Sequence, residues 1–272
     1  MTRRQRILQN ELCEQLIVEK EGPSGWITFN DPDRHNAISY AMWDGIPLAL
    51  TTFQDDPEIK SVVLTGAGEK AFVSGANISQ FDTLRTGSDA VEQYEIVAER
   101  AQLALRDFPK PLLARINGYC IGGGLNIALC CDLRIASDGS SFAIPAGKLG
   151  LGYRFSAIQN LVRAAGTANA LEIFLTADRF PARQAREKGL LHAVTTRDEL
   201  DTCVAAYLDK INALAPLTLQ AGKKMINTLA DRCEEIDLDE MKALVIQCFE
   251  SDDYKEGKRA FAEKRRPDFK GR

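Results

Sequence analysis

The chain has 272 residues, 45% of them hydrophobic and 26% charged, with 34 basic against 38 acidic side chains. This composition excludes disorder, collagen and coiled coil, and the length suits one large core, or one and a half domains, with no need of disulfide or metal staples. A net charge of −4 gives no global attraction for nucleic acid, and two histidines, His35 and His192, are too few for a His-rich metal centre or paired-histidine acid/base chemistry.

The seven cysteines lack any CxxC spacing, and Cys120, Cys130 and Cys131 sit in an apolar stretch. They are expected to be reduced core residues of a cytoplasmic protein, with no metal site. At the N-terminus Arg3, Arg4 and Arg6 precede polar residues instead of an apolar segment, so no secretory signal is read there, and Glu11 and Glu14 argue against a transit peptide. No run of about eighteen apolar residues occurs, so no membrane span is expected.

In chain order, 16–19 and 26–30 are β-type runs joined by the turn 21–25, a hairpin. Ser39 is placed to cap a helix reaching about Gln54, with a kink or early-turn role for Pro47. Ser61 to Thr65 reads as a strand buried on both faces. A helix is predicted over 89–107, a strand over 112–116, a helix over 125–131 opened by Gly122-Gly123-Gly124, and a strand over 133–136. Beyond Phe155 the pattern is helical throughout: 155–165, 169–175, 182–188, 197–214, 216–229, 238–250 and 252–264. Thr196 and Glu199 match a capping box. The expected organisation is an α/β core over 1–195 and a helical region over 196–272.

Two glycine-containing segments follow strands, Lys70 to Ile78 and Asn117 to Asn126. Glycine permits close backbone approach, and a helix N-terminus presents unpaired N–H groups. If the two turns converge, two N–H donors can receive one oxygen that becomes negative during reaction. Neither turn fits GxGxxG, and GxxxxGK[ST] is absent, so a nucleotide cradle is not supported; packing of a helix close to a sheet is the competing explanation for either turn alone.

The blocks VVLTGAGEKAFVSGANISQF (62–81) and KPLLARINGYCIGGGLNIALCCDLRIAS (110–137) resemble the two signature blocks of the crotonase superfamily, the enoyl-CoA hydratase/isomerase enzymes. The resemblance extends to SDDYKEGKRAFAEKRRPDF (251–269). It implies a crotonase-like spiral of ββα units with a helical C-terminal region for oligomer contacts, in a homotrimer or dimer of trimers. It also implies an acyl-CoA substrate, no cofactor beyond the coenzyme A of that substrate, and an oxyanion hole from the N–H groups of Ala76 and Gly123. The coenzyme A site it implies comprises Arg34, Ala37, Lys70, Ser74, Ile78, Phe261 and Lys264, where the cations can meet phosphates.

Hydratases of this family use two glutamates, and the positions that match are Asn126 and Ala146. Neither residue transfers a proton, and addition of water across a conjugated double bond needs one group to activate water and another to protonate carbon. The segment LGLGYRFSAIQNLVRAAG (149–166) is similar to that of the methylmalonyl-CoA decarboxylases of the same superfamily, including Tyr153, although that subgroup tends to carry His where Ala76 stands and often an acid where Asn126 stands. The resemblance therefore implies a lyase running decarboxylation, or another enolate reaction without a glutamate pair, with Tyr153 orienting the substrate and Asn126 positioning it. The alternatives are a hydratase with atypical acid/base residues and a non-catalytic acyl-CoA binder. Tyr153 also suits a core-edge residue with its hydroxyl in water, Arg154 reads as a surface or phosphate-facing charge rather than a carboxylate clamp, Asp132 as a structural hydrogen-bonder, and Glu69 and Asp82 as the acidic reserves.

Overall fold

Val62, Val63 and Leu64 have no exposed surface, the expected outcome for an uninterrupted apolar run in a strand covered on both faces. They lie in β4 (Ser61–Gly66), the middle strand of a seven-stranded sheet of order β1-β2-β3-β4-β6-β8-β11. The computed structural model describes residues 4–8, 12–77, 88–214, 216–230, 246, 250 and 252–265. In it β1 (Gln5–Leu8), β2 (Leu16–Glu21) and β3 (Ser24–Phe29) are antiparallel, while β3, β4, β6 (Leu112–Ile116), β8 (Leu133–Ser137) and β11 (Ala193–Thr195) run parallel. A smaller sheet holds β5 (Ala71–Val73), β7 (Tyr119–Ile121) and β9 (Ser141–Ala143) in parallel, with β10 (Phe180–Pro181) antiparallel at its edge.

The hairpin β2–β3 leads into α1 (Tyr40–Asp55). From β4 onward a strand of the large sheet is followed by one of the small sheet and then by a helix: β4, β5, α2 (Ser88–Asp107); β6, β7, α3 (Gly123–Cys130); β8, β9, α4 (Phe155–Thr176). This is the ββα spiral that the resemblance implied. Then come α5 (Ala182–Glu187), α6 (Leu200–Asn212), α7 (Pro216–Ala230) and α8 (Asp252–Ala262).

Alternation along β4 decides which core each side chain joins. Val62 and Leu64 face the large cluster beneath α1 to α4, whereas Val63 meets Trp26, Leu113, Ile135 and the α6 residues Leu200, Val204 and Leu208 on the opposite face. Each such fully buried Val or Leu contributes about 1.5–3 kcal/mol of transfer free energy. Lys110 is buried, and its Nζ donates to the carbonyls of Phe53 at 2.6 Å and Asp56 at 2.8 Å, at the C-terminal end of α1. That placement satisfies carbonyls left over by the helix and complements its dipole.

Several expectations need correction. The hairpin turn is only Gly22-Pro23, because Glu21 pairs with Ser24. Ser39 Oγ does accept from Met42 N at 3.2 Å, but Pro47 lies within α1, which runs on to Asp55. The region after Phe155 is not wholly helical: β10 and β11 complete the two sheets. These strands have two and three residues, and ladder pairing to β9 and β8 defines them where local pattern does not. The two helices expected over 155–165 and 169–175 abut as α4, broken in backbone only at Gly166. The expected helix 238–250 lies outside the described residues, apart from Ile246 and Glu250. Among the described residues no helix is long and apolar enough to cross a membrane.

Candidate active site

Where the two glycine turns meet, Ile38 forms a parallel bridge with Ala76. Ile38 N donates to Gly75 O at 2.8 Å, and Asn77 N donates to Ile38 O at 2.9 Å. A parallel bridge of this form uses the groups on either side of Ala76, so the N–H of Ala76 itself faces away from Ile38. The second turn begins at Gly122, whose φ of 53° belongs to the left-handed region. Its N–H donates to Ala143 O at 2.8 Å, which ties the turn to β9, and Gly123 then opens α3.

The turns converge. A side chain begun at Gly123 would start 3.9 Å from the nitrogen of Ala76, 3.7 Å from Trp43 Cζ2 and 3.8 Å from Ile38 Cγ2. The N–H of Gly123, in the first turn of α3, has no partner within its own helix. Two backbone donors thus border one small space, walled by Trp43 and Ile38. At Gly124 a Cβ would sit 2.0 Å from Val73 O, so only glycine lets α3 lie this close to β5.

Asn126 projects from the same helix and is 4% exposed. Its Nδ2 donates to Gln102 Oε1 on α2 at 2.6 Å, and its Oδ1 is buried with no hydrogen-bond partner among the described residues. Ala146, in a 3₁₀ turn over Ala146–Leu149, is likewise buried. Tyr153 places its Oη 3.4 Å from Gly122 O and its ring against Phe174, centroids 5.7 Å apart. Burial pushes its phenol well above the ordinary value, so it stays protonated as a hydrogen-bond donor throughout the physiological range. Tyr153 is half-buried at the edge of the core, with its hydroxyl bonded to Gly122 O.

The reading of Arg154 is corrected. Its side chain is 16% exposed, its Nε pairs with Glu95 on α2, and its Nη1 is buried with no hydrogen-bond partner among the described residues. Tyr94, the residue before Glu95, is buried and accepts from Trp43 Nε1 at 3.0 Å, which joins α2 to the wall beside Gly123. Glu95, Gln102 and Trp43 were not singled out in the sequence. The acid reserves fare differently: Glu69 is exposed and pairs with Arg197, and Asp82 lies outside the described residues.

Arg34, Ala37 and Ser74 are brought together: Ala37 N donates to Arg34 O at 3.0 Å, Ser74 N to His35 O at 3.2 Å, and Ser74 Oγ reaches Arg34 O at 3.5 Å. The Arg34 guanidinium is exposed beside Asp31. Lys70 lines an open depression of about 480 Å³ with His35, Glu69, Gly118, Tyr119 and Gly139. Phe261 and Lys264 are exposed at the end of α8, and no hydrogen bond or ion pair joins their side chains to Arg34, Lys70 or Ser74 among the described residues. Ile78 lies outside the described residues. Asp132 Oδ2 accepts from Leu112 N and Lys223 Nζ, both at 2.7 Å, in keeping with a structural role. Cys120, Cys130 and Cys131 are buried free thiols whose pKa values burial raises, that of Cys130 to about 12. Among the described residues no cluster of metal-ligating side chains occurs.

The family model for enoyl-CoA hydratase/isomerase matches residues 21–272. The short-chain-enoyl-CoA hydratase of Clostridium acetobutylicum is 33% identical over 255 residues, 92% of this chain and 95% of that protein. The crystal structure of an enoyl-CoA hydratase/carnithine racemase from Magnetospirillum magneticum superposes with a TM-score of 0.79 at 35% identity, covering 96% of this chain and 97% of the other. A methylmalonyl-CoA decarboxylase in complex with 2-nitronate-propionyl-CoA gives a TM-score of 0.87 at 28% identity, over 95% and 99% of the two chains. Signature turns, ββα spiral and near end-to-end similarity agree, and the chain belongs to the enoyl-CoA hydratase/isomerase family of the crotonase superfamily.

Proposed function

We propose that this protein is an acyl-CoA lyase that stabilises a thioester enolate between the N–H groups of Ala76 and Gly123, and that its reaction is decarboxylation. The observation that carries this reading is the pairing of converging backbone donors with buried Asn126 and Ala146 where hydration needs two carboxylates. In the reaction, the bond from the α-carbon to the carboxylate breaks, CO₂ leaves, and the electron pair moves into the thioester as an enolate. A proton ultimately drawn from water then adds to the α-carbon. No base is needed to begin, and the donors act most strongly where negative charge develops. Tyr153, a half-buried hydroxyl beside Gly122, is suited to orient the departing carboxylate. Coenzyme A would lie along Arg34, Ala37, Lys70, Ser74 and Ile78, with Phe261 and Lys264 as the late contacts, and no further cofactor is required.

Hydration is the second reading, favoured by the name of the Clostridium relative and by the Asn126–Gln102 pair, which can hold a water. Two assays on one preparation decide between them: CO₂ release from malonyl-CoA and methylmalonyl-CoA, and loss of the enone absorbance of crotonyl-CoA. Decarboxylation predicts the first and negligible rate in the second; rapid hydration without CO₂ overturns it. Calorimetric acyl-CoA binding with neither turnover would instead favour a non-catalytic binder.

A further inference from the structure

Two polar atoms in the candidate site are buried and unspent: Arg154 Nη1 and Asn126 Oδ1. Ser156 Oγ, two residues beyond Arg154, is another. Each polar group left unpaired in a buried position weakens the state that contains it by about ten- to a hundredfold. Buried orphans of this kind are uncommon, and three of them fall in the second glycine turn's helix and in the segment that carries Tyr153.

Arg154 is held by α2. Its Nε is occupied by Glu95, and Tyr94 and Glu99 on the same helix lie within electrostatic reach. Tyr94 is in turn bonded to Trp43, the residue whose ring stands beside Gly123. The neighbouring Tyr153 touches Gly122. Arg154 is thus tied through Glu95 to the helix whose Tyr94 holds Trp43, and it follows Tyr153 in the chain. Because Glu95 already balances its charge, Nη1 offers oriented hydrogen bonds more than a net field.

We propose that Arg154 Nη1 recognises an oxygen on the acyl group of the substrate, so that the pocket selects acyl thioesters carrying a carboxylate or keto oxygen over plain hydrocarbon acyl chains. This rests on the acyl-CoA reading and adds a specificity-determining residue to it. Both orphan atoms are buried, and Glu95 and Gln102, the α2 side chains bonded to Arg154 Nε and Asn126 Nδ2, are the ones that would have to give way to admit the oxygen. A site built to hydrogen-bond a substrate group discriminates strongly against the analogue lacking it, because the polar atom then stays unpaired. A bond made to a carboxylate before it leaves lowers KM more than it raises kcat.

Calorimetric titration with butyryl-CoA, acetoacetyl-CoA and 2-nitronate-propionyl-CoA, which carries no carboxylate to lose, tests this without relying on turnover. The native protein is expected to bind both oxygenated thioesters at least about tenfold more tightly than butyryl-CoA. The double variant Glu95→Met with Arg154→Met, which leaves no lone buried charge, is expected to bring that ratio near one. Equal affinity for all three ligands in the native protein, or a preference kept by a folded double variant, overturns the proposal. Should the double variant not fold, the native comparison still decides. CO₂ release without an affinity preference would overturn this assignment and leave the decarboxylase reading intact; the preference without CO₂ release would do the reverse.

Discussion

Asn126 holds its amide nitrogen 2.6 Å from Gln102, so its side chain is fixed by an uncharged partner where a hydratase presents a carboxylate. Hydration should therefore require two substitutions. Asn126→Glu alone is expected to leave crotonyl-CoA hydration near background, and Asn126→Glu with Ala146→Glu to raise it by about a hundredfold or more, followed as loss of enone absorbance. Comparable hydration by the single variant would show that one carboxylate is enough. Tyr153→Phe removes a half-buried hydroxyl next to Gly122 and is expected to lower kcat for CO₂ release about tenfold or more while the far-ultraviolet circular dichroism stays native. An unchanged kcat would remove Tyr153 from the mechanism. Neither the Arg154–Glu95 pair nor the Gln102–Asn126 pair was legible in the sequence. Their members are 59 and 24 residues apart on different elements, and no local pattern encodes which faces will meet.

At the scale of elements, the close contact of α3 with β5 and the seating of β11 on β8 can each be tested. Gly124→Ala drives a methyl group to 2.0 Å from Val73 O and should cost about 1–3 kcal/mol in denaturant unfolding, together with activity, since α3 carries Gly123. Unaltered stability would mean that α3 can shift freely. His192 sits just before β11, its Nδ1 accepting from Arg134 N at 3.1 Å and its own N–H donating to Arg134 O at 2.8 Å. Burial, then the charges of Arg134 and Arg186, lower its pKa from 6.5 to about 4. The unfolded chain binds that proton more readily, so stability is full above about pH 6.5 and falls as pH drops toward about 4. His192→Gln should flatten this part of the stability profile, and an unchanged slope would assign it to other groups. β4 was readable because burial on both faces leaves an all-apolar run, and α1 and α2 because their apolar spacing is long. β1 was not, since Gln5-Arg6-Ile7-Leu8 carries too short and mixed a pattern, and only its ladder with β2 makes it a strand. The glycine turns were legible as a pair because the close approaches they permit leave few substitutes for glycine.

For the molecule as a whole, α7 displays Met225, Ile226 and Leu229 at 59–66% exposure along one side of the helix. An apolar stripe of that kind is a natural seat for another copy of the chain. Sedimentation is expected to give a trimer or a multiple of it, and Met225→Glu with Ile226→Glu to shift the distribution toward monomer; a native monomer would contradict this. On the proposed function, converging donors, a helix held close by glycine, and a pocket with Asn126 and Ala146 where hydratases have carboxylates make an enolate by loss of CO₂. The most direct test of this claim is mass spectrometry of malonyl-CoA incubated with the protein in D₂O. The expected product is acetyl-CoA carrying deuterium on its methyl carbon. Malonyl-CoA recovered intact, with crotonyl-CoA converted to 3-hydroxybutyryl-CoA by the same preparation, would contradict it.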